Sequence, residues 1–372
     1  MIINELKLDR FRNLADATLL FSERGNLLIG DNGQGKTNLL EAVYYLTLLK
    51  SFRTNLDNEC IRFGESYFSL RGAWTEESGR RESASVGYDG RRKKVVLAGE
   101  EKKKVSEAFG VFKSVILTPE DIGIVQGGPA GRRRYLDIVL SISSPLYLER
   151  LKRYKKGLAT RNFLLRRPQA TDALISPWEE EMAESGAFII CERLSYVRRV
   201  AAGYGELFAR LSAGERAELA YRSELAGGRE QPAGNEADRQ RIREAFLERL
   251  RTGRQTDRER GATLAGPQTD ELVFKLEGRP LRNYGSQGQQ RTAVICLKMV
   301  EAGQIDLAGG VRPVLLLDDI FSELDRSRSA RLLEELVEKH QSFITAPRKE
   351  PFFERLGHLP VKTIEGGVVR DG

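Results

Sequence analysis

The amino-acid sequence predicts an α/β fold: a mixed sheet with helices, assembled from both ends of the chain around an inserted, compact helical lobe. Three observations predict it. A glycine-rich loop sits between an apolar run and a helical apolar face at 26–41, NLLIGDNGQGKTNLLE. A second apolar run, Val314–Leu317, ends far downstream in two carboxylates, Asp318 and Asp319. Between them, from about Arg132 to Arg260, alanine, leucine, glutamate and arginine dominate, with apolar residues at three- and four-residue spacing. A phosphate loop and its metal carboxylate are nearer than this in an uninterrupted mononucleotide fold. One nucleotide-binding domain split in sequence (1–131 and 265–372), with 132–264 inserted, is the economical reading.

The elements follow in order. Ile3, Leu6 and Leu8, then Leu19 and Phe21, alternate about the turn Phe11-Arg12-Asn13, a strand–turn–strand leading into the loop. Leu27, Leu28 and Ile29 end a buried strand. Gly30-Asp31-Asn32-Gly33-Gln34-Gly35-Lys36-Thr37 then fills G-x-x-x-x-G-K-[ST] without a mismatch, and Leu39, Leu40, Ala42 and Val43 open the helix. Glycines at 30, 33 and 35 let backbone N–H groups turn inward where a Cβ would obstruct. The helix adds its positive dipole end. Lys36 is placed to reach the β/γ-phosphates and Thr37 to offer its hydroxyl to Mg2+. The expectation is a nucleoside triphosphate site. After the helix, Lys50 to Thr54 is a polar loop presenting Arg53. Residues 67–117 include an antiparallel meander: Tyr67–Gly72, then Ser83–Tyr88 and Lys94–Leu97 joined at Asp89-Gly90, and finally Val111–Leu117 before Thr118-Pro119.

In the helical stretch Tyr135, Val139 and Ile142, and later Ala187, Ile190, Cys191, Leu194 and Val197, form apolar faces. Pro168, Pro177 and the glycines from Gly227 to Gly234 divide it into several helices, with Glu230 to Arg243 as a flexible loop. No run of heptads persists, so no long coiled coil is expected. Strand patterning returns at Glu271–Leu276. Val314–Leu317 is the strand neighbouring the phosphate loop, delivering Asp318 beside Mg2+ and Asp319 where it can orient or deprotonate a water. Gly285-Ser286-Gln287-Gly288-Gln289-Gln290-Arg291 precedes a helix, Thr292 to Glu301. Small polar residues there make either a second anion site, closing over the nucleotide of another copy, or a plain capped helix.

The 372 residues carry 60 Lys and Arg against 53 Asp and Glu, a net charge of +7. The excess is clumped at Arg91-Arg92-Lys93-Lys94, Lys102–Lys104, Arg132–Arg134, Lys152-Arg153 and Lys155-Lys156. A single charge run is usually a solvated face; several beside a nucleotide motif point to a polyanion partner. Cys60, Cys191 and Cys296 are dispersed and odd in number, excluding a disulfide framework, and His340 and His358 stand at no metal-ligand spacing. MIINELKLDRF is charged too early for a signal peptide, and no run reaches membrane-spanning length. A soluble cytoplasmic protein is expected.

The motifs together resemble the ATP-binding cassette heads of the SMC-like superfamily, and within it the RecF family. Phe11-Arg12-Asn13, GDNGQGKTNLLEA, Lys50-Ser51-Phe52-Arg53-Thr54, Thr118–Asp121, Gly127-Gly128-Pro129, Arg132–Asp137, Gly266-Pro267, YGSQGQQRT and LLLDDIFSELD occur in that family's order across essentially the whole chain. The resemblance implies a slow, DNA-stimulated ATPase using ATP and Mg2+. It implies nucleotide contacts from Arg12, Asn13 and Asn38 beside residues 30–37, and a signature of Ser286, Gly288 and Gln289 contacting the partner subunit's γ-phosphate. A dimer-facing loop falls at Ser322–Asp325. Two subunits would sandwich two ATPs and clamp duplex DNA near gaps, helping RecR and RecO place RecA. Arg53, Arg91, Arg92, Lys93, Lys152 and Arg153 are the DNA-contact candidates. Thr345 stands where transporter cassettes carry a switch histidine, Gln126 is the Q-loop candidate, and the family's Gly-Pro-His-Arg-Asp-Asp reads Gly266-Pro267-Gln268-Thr269-Asp270-Glu271. Two rival readings, a transporter ATPase and a non-hydrolysing ATP-gated scaffold, also fit a phosphate loop.

Overall fold

The structure, a computed structural model, describes residues 1–227, 235–323, 339–349, 353 and 359–372. The chain forms β1 (Ile2–Asp9), β2 (Ala17–Leu20), β3 (Gly25–Ile29), α1 (Lys36–Leu48), β4 (Phe68–Thr75), β5 (Arg81–Tyr88), β6 (Lys93–Leu97), β7 (Glu100–Glu101) and β8 (Ser114–Leu117). There follow α2 (Gly123–Gln126), α3 (Pro129–Ser143), α4 (Pro145–Leu165), α5 (Asp172–Leu211), β9 (Ala217–Arg222), α6 (Glu236–Thr252), α7 (Arg254–Arg260), β10 (Glu271–Leu276), β11 (Arg279–Pro280) and α8 (Leu281–Tyr284). Then come α9 (Gln287–Gly309), β12 (Val314–Leu317), β13 (Ser342–Ala346), β14 (Val361–Glu365) and β15 (Val368–Asp371). They fall into two units: Met1–Asp121 with Ile295–Gly372, and Ile122–Val294.

The first unit holds two six-stranded sheets. One, ordered β15-β14-β3-β13-β12-β8, is parallel from β14 to β8, with β15 antiparallel at its edge. Its strands β8, β12 and β13 are buried throughout, which is why they read as unbroken apolar runs rather than alternations. The other, β2-β1-β4-β5-β6-β7, is antiparallel, and β4 alternates buried with half-exposed residues. Helix α1 is buried along most of its length. Its Tyr45 meets Phe11 and Phe68 edge-on, with ring centroids 6.1 and 5.4 Å away, tying the helix of the phosphate loop to the antiparallel sheet. The Val111–Leu117 strand begins only at Ser114; the segment before it is fastened to α1 instead, the Gly110 N–H donating to the Thr47 carbonyl at 2.9 Å.

The second unit is mostly helical, with α5 packed against α4, α6 and β9. It begins earlier and ends later than the composition boundary, because β10 pairs along its length with β9 and carries Glu271–Leu276 into this unit. β9 itself corrects the reading of this stretch as helix: residues 217–222 alternate buried and half-exposed against β10 despite good helix formers. Pro177 does not divide the helices but lies in the second turn of α5, which forgoes one backbone bond there. Of the expected loop at 230–243, residues 230–234 lie outside the described residues. From Glu236 the chain is helix α6, capped by the Asn235 side chain accepting from the Asp238 N–H at 2.9 Å.

Arg161 is fully buried in this unit. It donates to Glu179 at 3.1 Å, Asp257 at 2.7 Å, Thr263 at 2.7 Å and the Leu250 carbonyl at 3.0 Å. Glu179 has a second cation, Arg254 at 2.5 Å; Asp257 depends on Arg161 and the Leu264 N–H. Arg161→Met should therefore lower stability by about 3–5 kcal/mol, the cost of a buried carboxylate left uncompensated. Urea unfolding measures it, and a loss below about 1 kcal/mol would contradict this account.

Candidate nucleotide-binding site

The phosphate loop leaves the end of β3 and enters α1 through Gly35, whose φ of 114° only glycine adopts without strain. Gly33 is also left-handed, at φ 81°. Lys36 lies back along the loop, its Nζ donating to the Gly30 carbonyl at 2.5 Å and the Asp31 carbonyl at 2.9 Å. Burial lowers the pKa of this ammonium, and Asp319, Asp318 and Asp31 pull it the other way.

Parallel strands β12 and β13 bring the remaining groups to the same end of the sheet. Thr37 Oγ1 donates toward both Asp318 oxygens, at 2.8 and 3.0 Å. From β13, Thr345 Oγ1 donates to Asp318 Oδ1 at 2.8 Å and accepts the Asp319 N–H at 2.8 Å. Asp319 itself turns with φ 47°, a conformation rare outside glycine, asparagine and aspartate. Burial raises the Asp318 pKa, Thr345 and Thr37 oppose it, and the charges of Glu120 and Asp319 add to the rise. Asp318 is thus a 6 % exposed carboxylate held by two hydroxyls and facing two further acids. Among the described residues no three His, Cys, Asp or Glu side chains gather as a metal cage. One hydroxyl and one carboxylate are the oxygen donors that suit Mg2+, which takes its other ligands from phosphate and water.

A second knot flanks the loop. Glu41 on α1 has no exposed surface and accepts from Arg12 at 2.6 and 3.0 Å and from Ser51 Oγ at 2.5 Å, with Arg53 at 3.5 Å. Arg53 also donates to Asn38 at 2.8 Å; Asn38 donates to Asn13 at 2.7 Å, and Asn13 to the Gly33 carbonyl at 3.3 Å. Arg12, Asn13, Asn38 and Arg53 are thus one hydrogen-bonded network. Its centre, Glu41, was not singled out from the sequence, where an acid inside a motif's helix carries no separate signal.

In the second unit, Ser286 is exposed at the start of α9. Its Oγ accepts from the Gln289 N–H at 3.3 Å, and its N–H donates to Gln289 Oε1 at 2.7 Å, a reciprocal cap. Gln289 Nε2 also donates to Glu215 at 2.5 Å, while Gly288 is half-buried. The Q-loop candidate Gln126 donates to Gln290 Oε1 at 2.7 Å. Gln268, in place of the family's histidine, accepts from Tyr154 and donates to the Ala265 carbonyl at 2.9 Å, so it shapes its own loop. Ser322 falls in a short helical turn, and Asp325 lies outside the described residues.

The basic clusters separate. Arg91 and Arg92 are exposed, their N–H groups held by Asp89 at 2.9 and 2.6 Å in the hairpin turn. Lys93 turns inward instead, to the Leu49 carbonyl at 2.7 Å and Asp57 at 2.8 Å, because strand alternation sends it opposite to its neighbours. Lys152 and Arg153 are exposed on α4, Arg153 pairing with Glu149 at 3.4 Å. Arg132 is buried and donates to the carbonyls of Ile124, Val125 and Gly127 at 3.2, 3.3 and 2.9 Å, closing the end of α2.

Val314–Leu317 is not the immediate neighbour of the phosphate-loop strand, as the sequence suggested: β13 is inserted between β3 and β12 and contributes Thr345. A parallel sheet with a phosphate loop at the end of one strand, and Asp318 and Asp319 after the strand two places along, defines a P-loop ATPase head of the SMC type. The RecF/RecN/SMC N-terminal domain model matches residues 2–367, and the chain belongs to that family, in its RecF branch. The DNA replication and repair protein RecF of Symbiobacterium thermophilum is 37% identical over 377 residues, covering 100% of this chain and 99% of that protein. RecF of Bacillus subtilis is 35% identical over 350 residues, 93% of each. A solved structure of the recombination mediator protein RecF with ATP, described within the RecFOR pathway, matches with TM-score 0.90 at 34% identity, covering 100% of this chain and 97% of that one. An SMC head bound to the C-winged helix domain of ScpA covers 100% of this chain and 96% of its own, with TM-score 0.57 at 15% identity, and shares the fold alone. Membership places the chain among DNA replication and repair proteins.

Proposed function

We propose that this chain is a cytoplasmic, ATP-gated DNA-binding protein of recombinational repair and replication restart. Two copies close on two ATPs, clamp duplex DNA near gaps or single-to-double-strand junctions, help RecR and RecO place RecA, and reopen after slow, DNA-stimulated hydrolysis. The convergence of Thr37 and Thr345 on Asp318 beside Lys36 carries the reading, because it brings together, from three separate parts of the sequence, the groups such a site would need. The RecF structure with ATP supports ATP as the nucleotide.

Within this reading Lys36 and the loop N–H groups would hold the β/γ-phosphates, and Thr37 and Asp318 would hold Mg2+, which when bound would supply charge neutralisation on the phosphates. Asp319 orients the attacking water, with its backbone anchored by Thr345. Ser286 and Gly288 of one copy seal the pocket of the other. Exposed Arg53, Arg91, Arg92, Lys152 and Arg153 supply DNA phosphate contacts.

Light scattering with and without Mg-ATP and gapped duplex tests the scheme: a monomer under saturating conditions would sink it. DNA affinity should be indifferent to sequence. For the five phosphate contacts of one copy, a fourfold rise in salt should weaken binding by on the order of several hundredfold. A salt-independent affinity, measured by fluorescence anisotropy, would remove the phosphate-contact account.

A further inference from the structure

Gln34 occupies a position of the phosphate loop where the motif requires no particular side chain. Its side-chain oxygen accepts the Gly366 N–H at 2.6 Å, and its main-chain carbonyl accepts the Gly367 N–H at 3.0 Å. These donors are consecutive residues at the turn between β14 and β15, with φ 53° and 81°, the doubly left-handed geometry of a tight hairpin. The Gly367 carbonyl in turn accepts the Ala15 N–H at 2.8 Å. At Gly367 and Gly30 there is no room for a side chain. A Cβ on Gly367 would lie 1.9 Å from the Asn13 carbonyl oxygen, and one on Gly30 would lie 2.3 Å from the Ile364 carbonyl oxygen. Asn13 completes the grip from the other flank, donating to the Gly33 carbonyl, while a Cβ on Gly35 would come within 2.9 Å of its Oδ1.

We propose that the β14–β15 turn is a positioning element of the nucleotide site: acting through Gln34 and Asn13, Gly366 and Gly367 hold the phosphate loop in its phosphate-binding shape before the nucleotide arrives. A loop with glycines at 30, 33 and 35 has unusually many conformations to lose. If only a fraction of molecules has the loop in shape, apparent affinity falls by that fraction. The hairpin's bonds to both the backbone and the side chain of Gln34 keep that fraction high. The inference rests on Gly30–Thr37 being a nucleotide site.

The test is calorimetric titration of the full chain with Mg-ATP, together with steady-state hydrolysis, for four variants. Gly367→Ala forces a Cβ onto the Asn13 carbonyl and should weaken Mg-ATP binding at least tenfold, raising KM by more than it lowers kcat. Gly79→Ala is the control: its φ of 82° imposes the same backbone strain at another hairpin, with nothing within 4 Å of the added Cβ, and it should bind within twofold of the unmodified chain. Gln34→Ala removes one tether and should weaken binding threefold or more, with the melting temperature without nucleotide unchanged. A folded Gly367→Ala protein with unmodified affinity overturns the proposal. If Gly367→Ala does not fold, Gln34→Ala decides alone, and unmodified affinity there overturns it. Lys36→Ala binding Mg-ATP like the unmodified chain would instead overturn the nucleotide reading itself.

Discussion

Lys36→Ala is expected to lower ATP hydrolysis by on the order of 10²–10³-fold, the cost of removing one charged donor aimed at a transferring phosphoryl group in a water-poor site. In the structure the ammonium rests on the Gly30 and Asp31 carbonyls, two neutral acceptors that a phosphate's charge outcompetes. Burial lowers its pKa, with Asp319, Asp318 and Asp31 opposing the shift. Lys36→Arg should fare little better, since a planar fork cannot follow the path of a single ammonium through the loop. Stability without nucleotide should change little, because the desolvation of Lys36 offsets its two hydrogen bonds. Single-turnover phosphate release and urea unfolding read the two quantities separately. Unfolding in proportion to lost activity would mean that Lys36 is structural, and full activity would remove it from the site.

How much of this could be read in advance depends on how local each contact is. Gly30 to Thr37 needed only a strand, a turn and a helix start, all contiguous, and their geometry follows from glycine and from the helix N-terminus. Asp318 was legible because a buried parallel strand is a continuous apolar run and its end is marked by two acids. Thr345 was placed by resemblance alone, and the structure sets its hydroxyl between Asp318 and the Asp319 N–H, joining two strands that the sequence keeps apart. What failed to show was convergence of side chains with ordinary neighbours. Glu41 gathers Arg12, Ser51 and Arg53 from separate segments, and Gln34 is met by glycines distant in sequence. Charge runs misled for a related reason. Arg132 and Lys93 are each part of a basic cluster by composition, yet each side chain serves carbonyls and a carboxylate inside the fold. A count of cations does not say which face a helix or strand turns inward.

Ser286→Asp separates the two readings of the helix-start motif more sharply than any truncation. Ser286 and Gln289 form a reciprocal cap, the geometry a plain capped helix would have. Aspartate is as good a cap as serine, and its charge is favourable at a helix N-terminus. If capping is its whole role, Ser286→Asp should be silent or slightly stabilising in every assay. If Ser286 meets the γ-phosphate bound by a second copy, the substitution sets a carboxylate against a phosphate. Mg-ATP-dependent dimerisation, followed by light scattering, should then disappear, and hydrolysis should fall on the order of a hundredfold or more, as for loss of a transition-state donor. Nucleotide affinity of the single protomer should stay within about threefold, because the phosphate loop it uses lies in the other unit. Ser286→Arg should also abolish the dimer, by bulk, at a cost of about 0.5–2 kcal/mol for the lost cap. A Ser286→Asp protein that dimerises and hydrolyses ATP as the unmodified chain does would reduce the motif to a helix cap, and the shared-pocket account of this ATPase would fall with it.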